Sequence, residues 1–374
     1  MKKIESVSLF GTLPPIKGIS GFCIEQANCL SKKLKVEFHS FSSIYPEFLY
    51  PGGTKEYSKV FTIKENKNLR IKRVLSWYNP FSWIYVGLTN RGKIVHINWW
   101  IYLLFPVFFT IAILSKLRGK KVILTLHNVI AHESNFLDSL FSSIMYSVSD
   151  ILLVHTENNK DTLIKKFKIN KNKIHLIPYG PLNFFKTKNI SQSEAKKHLG
   201  LKDKNKIILF FGTIRKYKGL DILIKAFAKV SRALPNVRLI IAGENWIEWK
   251  PYETLINKYH LQDKIISHIR YIPSEEIQYY FTAADLVVLP YTHFDAQSAV
   301  GNVTVAFNKP IIASSVSGIK DSLNTYTFAN KNIKELSGLI KTFFLFKKIG
   351  NCKCSNYNSS WDNYLKKYLK IISK

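Results

Sequence analysis

Acidic residues are scarce in this sequence. Asp and Glu number 25 against 55 Lys and Arg, a formal charge of +30. That balance favours an anionic partner: a nucleic acid, a membrane surface or a phosphorylated substrate. The cations are spread rather than blocked and no RNA- or DNA-binding module accompanies them, so nucleic acid is set aside. Cysteine is sparse too, with four residues. Cys23 and Cys29 fall in one predicted helix, and Cys352 and Cys354 stand too close for a CxxC, so a disulfide framework is excluded. Reduced thiols in the cytosol are the expectation. No GxGxxG occurs, so a dinucleotide fingerprint is absent. The start, MKKIESVSLF, enters a strand without an apolar leader or a small-residue cleavage site. The longest apolar run, Trp99 to Leu114, is short for a membrane span and contains Pro106. It is expected as a buried or interface-lying helix.

What is present is a long alternation of strand and helix patterns. The chain has 374 residues, 46% of them hydrophobic, which suits two domains with sizeable cores. Val7–Phe10 reads as a strand, followed by the loop GTLPPIKGISG and a helix to about Leu34 that Ser20 caps. Strands follow at 36–40, 94–98, 122–126, 151–154 and 173–177, and Pro178-Tyr179-Gly180 interrupts the pattern. Residues 181–205 read as an interdomain linker. Alternation then resumes with strands at 207–211, 237–242 and 286–289, and helices at 333–347 and 361–371 close it. Two such halves imply two doubly wound α/β domains, 1–180 and 206–356, rather than one continuous barrel.

The chemistry-bearing stretch is FFGTIRKYKGLDILIKAF, Phe210 to Phe227. An apolar strand feeds a helix through a loop with two glycines and several cations. Helix-start amides beside Arg215 and Lys218 make an anion site suited to a diphosphate. The plainer alternative is a solvated basic turn. In the other half, HNVIAHE follows the strand VILTL directly. His127, Asn128, His132 and Glu133 therefore sit just past a strand carboxyl end, where open α/β sheets bind ligands. A zinc site there is weak, since the spacing is not HExxH and no third ligand is evident.

In order and spacing these motifs resemble a family 4 (group 1) glycosyltransferase over nearly the whole length. The resemblance rests on GTLPPIKGISG, IVHIN, TLHNVIAHE, IPYG, FFGTIRKYKGLD, AADLVVLPY and DAQSAVGNVTVAFNKPIIAS. It implies the GT-B fold: two Rossmann-like domains facing across a cleft, the first taking the acceptor and the second the nucleotide-sugar. The last helix, within 357–374, is then expected to cross back onto the first domain. Lys218 matches the lysine on the donor diphosphate, and His127 the histidine that contacts the transferred sugar. Gly18, Ser20 and Gly21 match the glycine loop. The expected arginine position is Thr213, after Gly212, with Arg215 as the substitute. Asn128, His132 and Glu133 lie on the acceptor side.

One motif departs from the family. Counting back from Pro310, the two expected glutamates are Asp295 and Val303. The second glutamate holds the nucleotide ribose in relatives, so its loss bears on nucleotide choice and on activity. The chain resembles a sub-branch with a QSG-like loop, here Gln297, Ser298 and Ala299, with Val300 behind. Ser298 caps the helix that follows.

The resemblance implies a retaining hexosyl transfer. Cations and helix amides stabilise the leaving nucleoside diphosphate without a metal or cofactor. No DxD occurs, so the metal-binding signature of the GT-A class is missing. The expected partners are a nucleotide-sugar and a glycan or lipid-linked glycan of cell-surface polysaccharide biosynthesis. The expected location is the cytoplasm, with an anionic membrane surface as a peripheral site. The alternative is a non-catalytic nucleotide-sugar or polysaccharide-binding protein on the same fold.

Overall fold

The strand patterns assemble into two separate parallel sheets. A computed structural model describes residues 5–44, 53–130, 136–316, 318–319, 323, 325–346 and 360–373. The chain divides into two compact units, Met1–Gly180 with Ser359–Lys374, and Pro181–Asn358.

Among the described residues the first unit holds seven strands: β1 Ser6–Phe10, β2 Lys35–Ser43, β3 Leu69–Ser76, β4 Ile94–Trp99, β5 Lys121–Leu126, β6 Ile151–Val154 and β7 Ile174–Leu176. Their order is β3-β2-β1-β4-β5-β6-β7, all parallel. The helices are α1 Ser20–Ser31, α2 Pro80–Thr89, α3 Phe105–Leu117, α4 Phe136–Val148 and α5 Glu157–Lys165. Strand order reverses between β1 and β4, and such a point opens a crevice at the strand carboxyl ends.

β4 shows how the two faces of this sheet differ. Val95, Ile97 and Trp99 point one way into an apolar core with Val107, Phe108 and Ile111 of α3. The alternate residues His96 and Asn98 are equally buried but polar, and point the other way. There they meet α1 and the last helix, Trp361–Ile372. That helix buries Trp361, Tyr364, Leu365, Tyr368 and Ile372, an amphipathic stripe. The Ser360 side chain caps it by accepting from the Asn363 amide at 3.1 Å, a bond worth about 1 kcal/mol.

The Trp99–Leu114 run holds a partly buried helix, but a shorter one than expected. Trp99 ends β4, a 3-10 turn spans Tyr102–Leu104, and the helix starts only at Phe105, with Pro106 in its first turn. Proline fits there because its missing N–H lacks a helical partner anyway. One face of this helix, Val107, Phe108, Ile111 and Ala112, is buried, as the buried-helix reading expects. β3 and α2 had no signal in the strand count.

The second unit holds β8 Lys206–Phe211, β9 Val237–Ala242, β10 Ile265–His268, β11 Leu286–Leu289, β12 Ile311–Ser314 and β13 Tyr326–Phe328. Their order is β10-β9-β8-β11-β12-β13, again parallel, with the switch between β8 and β11. Its helices are α6 Gln192–His198, α7 Leu220–Ala233, α8 Lys250–Lys258, α9 Ser274–Ala283, α10 Ala299–Ala306 and α11 Ile333–Phe346. Residues 181–205, expected as a linker, fold into this unit: Thr187 bonds Gln278 of α9, and Gln192 of α6 bonds Asp285.

Candidate functional site

The anticipated residues fall into two groups, one at the switch point of each unit. In the second unit β8 is followed by Gly212, whose φ is +94°. A Cβ there would lie 3.0 Å from Lys218 Nζ and 3.3 Å from Val300 Cγ2. Lys218, six residues on, and Val300, far along the chain, therefore meet at one backbone position. Between them the chain makes a short 3-10 turn, Lys216–Lys218, and enters α7 through Gly219 at φ +66°. A side chain at Gly219 would strike the Pro290 carbonyl at 2.0 Å, so only glycine lets this helix start against the end of β11.

Lys218 is buried, and that burial, with the Arg215 charge nearby, pulls its ammonium down to about 7. Its Nζ lies 5.9 Å from the centre of the Tyr291 ring. The buried Tyr291 hydroxyl bonds Ser298, and Ser298 Oγ accepts from the Gly301 amide at 3.1 Å as the cap of α10. Ser298 thus occupies the capping position expected of it, with Ala299 and Val300 opening the helix. Gln297 is turned inward, donating to Asn302 Oδ1 at 3.1 Å. Asp295 pairs with His293 at 3.3 Å. Val303 is buried on α10, so an apolar side chain fills the place where the resemblance expects a glutamate.

Arg215 lies over the Trp246 indole at 4.2 Å. The Trp246 N–H donates to Glu244 at 3.0 Å, which fixes that platform. Thr213 is half-buried in the same loop. Trp246 and Glu244 were missed by sequence reasoning. The signal available was their place just after β9, a strand adjacent to β8.

In the first unit the glycine loop leads from β1 to α1. Gly18 has φ +76° with open space around it, and Gly21 stands in the first turn of α1. Ser20 does not cap the helix as expected. Its hydroxyl donates backwards to Ile16 O at 2.6 Å and Lys17 O at 3.2 Å, and the cap position is Ile19. The serine ties the loop down instead. Phe22, next in α1, meets His127 edge-on at 4.6 Å, which brings the glycine loop beside the end of β5.

His127 is half-buried, and its Nε2 is 3.3 Å from Asn98 Oδ1. Asn98 Nδ2 already donates to Phe10 O at 3.0 Å and Gln26 Oε1 at 2.9 Å. Its oxygen must therefore accept, so the Nε2–H of His127 donates and Nδ1 keeps a lone pair. Burial, reinforced by His155 and His96, holds the imidazole well below its ordinary value, so it is neutral at neutral pH. Asn128 is half-buried on the same loop; His132 and Glu133 lie outside the described residues.

Two further residues join this group. His155, past β6, donates Nδ1–H to Ile177 O at 2.8 Å and lies 5.8 Å, ring to ring, from His127. Tyr179 packs on Phe22 and His155. Its neighbour Gly180 leaves room for Trp361, since a Cβ would come within 2.6 Å of that indole.

With both groups placed, comparison with known proteins shows what the second unit is similar to. Residues 191–352 match the family of glycosyl transferases group 1. That segment is similar to group 1 glycosyltransferases. The chain is similar to the D-inositol 3-phosphate glycosyltransferase of Segniliparus rotundus, 28% identical over 46% of this chain and 38% of that one. It is also 28% identical to a putative glycosyltransferase of Bacillus subtilis, over 54% of this chain and 51% of that protein. The chain thus spans about half or less of the length of these curated relatives. Among solved structures it resembles Anabaena Alr3699/HepE in complex with UDP, with a TM-score of 0.73 at 16% identity over 99% of this chain and 100% of that one. At that identity the likeness establishes the fold, GT-B with two Rossmann-like domains.

Proposed function

We propose that this protein is a glycosyltransferase that moves a sugar from a nucleotide-sugar to a glycan or lipid-linked glycan in cell-surface polysaccharide biosynthesis. The observation that supports it most is the meeting of Lys218, Val300 and the Ser298–Tyr291 pair around Gly212. A buried cation beside a glycine turn and a capped helix start suits a dianionic diphosphate, whose charge rises as the glycosidic bond breaks. Lys218 and Arg215 hold the leaving group, and His127 offers its free Nδ1 to a sugar hydroxyl. Transfer is retaining, and the acceptor proton passes to the departing phosphate oxygen. The diphosphate is held by cations, so turnover needs no metal.

A screen of UDP-, GDP- and dTDP-sugars for hydrolysis, and for protection against thermal unfolding, tests the reading. At least one donor is expected to be both bound and turned over, with full activity in EDTA. Activity lost in EDTA and restored by manganese or magnesium would overturn the metal-free mechanism. The buried Val303 favours a second reading, a non-catalytic nucleotide-sugar-binding protein. Protection without turnover of any donor would establish that instead.

A further inference from the structure

Helix α2 carries a surface that no reaction at the sites above would use. Between Arg73 and Arg91 the sequence contains no charged residue, but it includes Trp77, Tyr78, Phe81, Trp83 and Tyr85. A surface helix ordinarily turns charged side chains outward. Here the outward residues are Phe81, Ile84, Tyr85 and Leu88, which are 79%, 42%, 60% and 50% exposed. Their spacing of three, four and seven puts them on one stripe. The rotation of the helix is fixed by its inner face. Val86 and Gly87 are buried, and a Cβ on Gly87 would come within 2.8 Å of Leu114 in α3. The apolar stripe therefore points outward because the inner face is locked.

Cations stand at the C-terminal end of this helix. A pocket of about 510 Å³ there is lined by Asn90, Arg91, Lys93, Arg118 and Lys120 among others. Arg118 donates to Gly87 O at 3.1 Å and Asn90 O at 3.2 Å, and Lys120 to Asn90 Oδ1 at 2.6 Å. Both side chains are thus moored to the last turn of α2. Arg91 and Lys93 are exposed beside them.

We propose that the α2 stripe and this basic pocket form one docking surface for an anionic lipid membrane. Phe81, Ile84, Tyr85 and Leu88 enter the headgroup–acyl boundary, where tyrosine and other aromatic rings are favoured. The pocket cations meet the headgroup phosphates. A second copy of the chain is a poorer occupant: each carries +30, and like charges repel. Membrane contact was expected on the Trp99–Leu114 run, but Val107, Phe108, Ile111 and Ala112 of that run are core residues. The inference does not rest on glycosyl transfer, and its test uses no donor.

The test is flotation of the full chain with phosphatidylcholine vesicles, with and without phosphatidylglycerol, at low and high salt. Wild type is expected to float with the anionic vesicles at low salt and to be weakened by salt. The combined variant Phe81→Ser, Tyr85→Ser, Leu88→Ser alters only exposed positions, so its thermal unfolding should match wild type. Its partitioning should fall at least about tenfold. Arg91→Glu with Lys93→Glu should remove most of the salt-sensitive part. Failure of wild type to float at low salt overturns the proposal, and so does a serine variant that floats as wild type does. A wild-type dimer that the serine variant converts to a monomer would assign the stripe to self-association and overturn it as well.

Discussion

Gln26 and Tyr364 share a buried hydrogen bond of 2.7 Å across 338 residues of sequence. The Gln26 amide donates to the tyrosine hydroxyl, and its carbonyl accepts from Asn98, which in turn accepts from His127. On the other side Tyr364 bonds Thr125, Thr125 bonds His96 at 2.7 Å, and His96 reaches Tyr368 at 3.0 Å. The last helix therefore anchors one end of a buried polar chain whose other end is the candidate catalytic histidine.

Tyr364→Phe should cost this unit stability. The ring still packs, but the Gln26 N–H group is left buried without that acceptor, a loss of about 1–3 kcal/mol. Urea unfolding gives the difference directly. An unchanged midpoint would mean that water or a neighbour replaces the hydroxyl and that the link to His127 is dispensable.

His127→Ala should fold normally and lower turnover at least about tenfold, the worth of one transition-state hydrogen bond. Steady-state rates with an active donor, beside a thermal melt, separate this from misfolding. A folded variant with normal turnover would make the ring structural.

Lys218 should make donor binding depend on pH. In the free protein its ammonium loses its proton near 7, and a diphosphate favours the charged form. Nucleoside diphosphate binding above that pH should take up a proton, and affinity should fall by up to about tenfold per unit as pH rises. Calorimetry in buffers of different ionisation enthalpy measures the uptake. The unfolded lysine keeps its proton to higher pH, so across that window stability rises with pH, and Lys218→Met should stabilise the protein at pH 7 and below. Lys218→Ala and Arg215→Ala should each lower turnover by roughly ten- to a hundredfold. If both side chains hold one anion, as proposed, their effects should not add. Loss of neither activity nor proton uptake would place the diphosphate elsewhere.

Acid should weaken the first unit through its buried histidines. Burial lowers His96 to about 3 and His155 to about 4, while the unfolded chain protonates both near the ordinary value. The unfolded state then binds more protons as pH falls below about 6.5, and stability drops by up to about 1.4 kcal/mol per unit for each histidine. Denaturant midpoints at pH 7.5 and 5 measure the slope, and His155→Asn should flatten it. Equal midpoints for wild type would show that these rings keep access to protons in the fold.

Much of the fold was legible because parallel strands buried on both faces leave near-continuous apolar runs. VILTL, KIILFF and LVVL became β5, β8 and β11. The strands that escaped notice are shorter or more polar. LRIKRVLS of β3 is an edge strand with four cations or hydroxyls among its residues, and TF and SH end β13 and β10. Ser20 departs from its expected role for a different reason. A serine before an apolar run is a cap signal, yet the backbone turn at 16–17 offers its hydroxyl a nearer acceptor.

The sequence by itself determined the two α/β halves, the loop from Gly212 to Gly219 and the cap at Ser298. Each of these depends on residues close together in the chain, so local spacing carries it. Only the tertiary structure decided that Val300 joins Gly212 and Lys218 at one position, that Val107, Phe108, Ile111 and Ala112 are buried while Phe81, Ile84, Tyr85 and Leu88 are exposed, and that Tyr364 supports His127 through Gln26 and Asn98. Those relationships depend on which strand lies beside which and which helix face turns inward. Side chains that meet across a sheet order of this kind have no fixed separation in sequence.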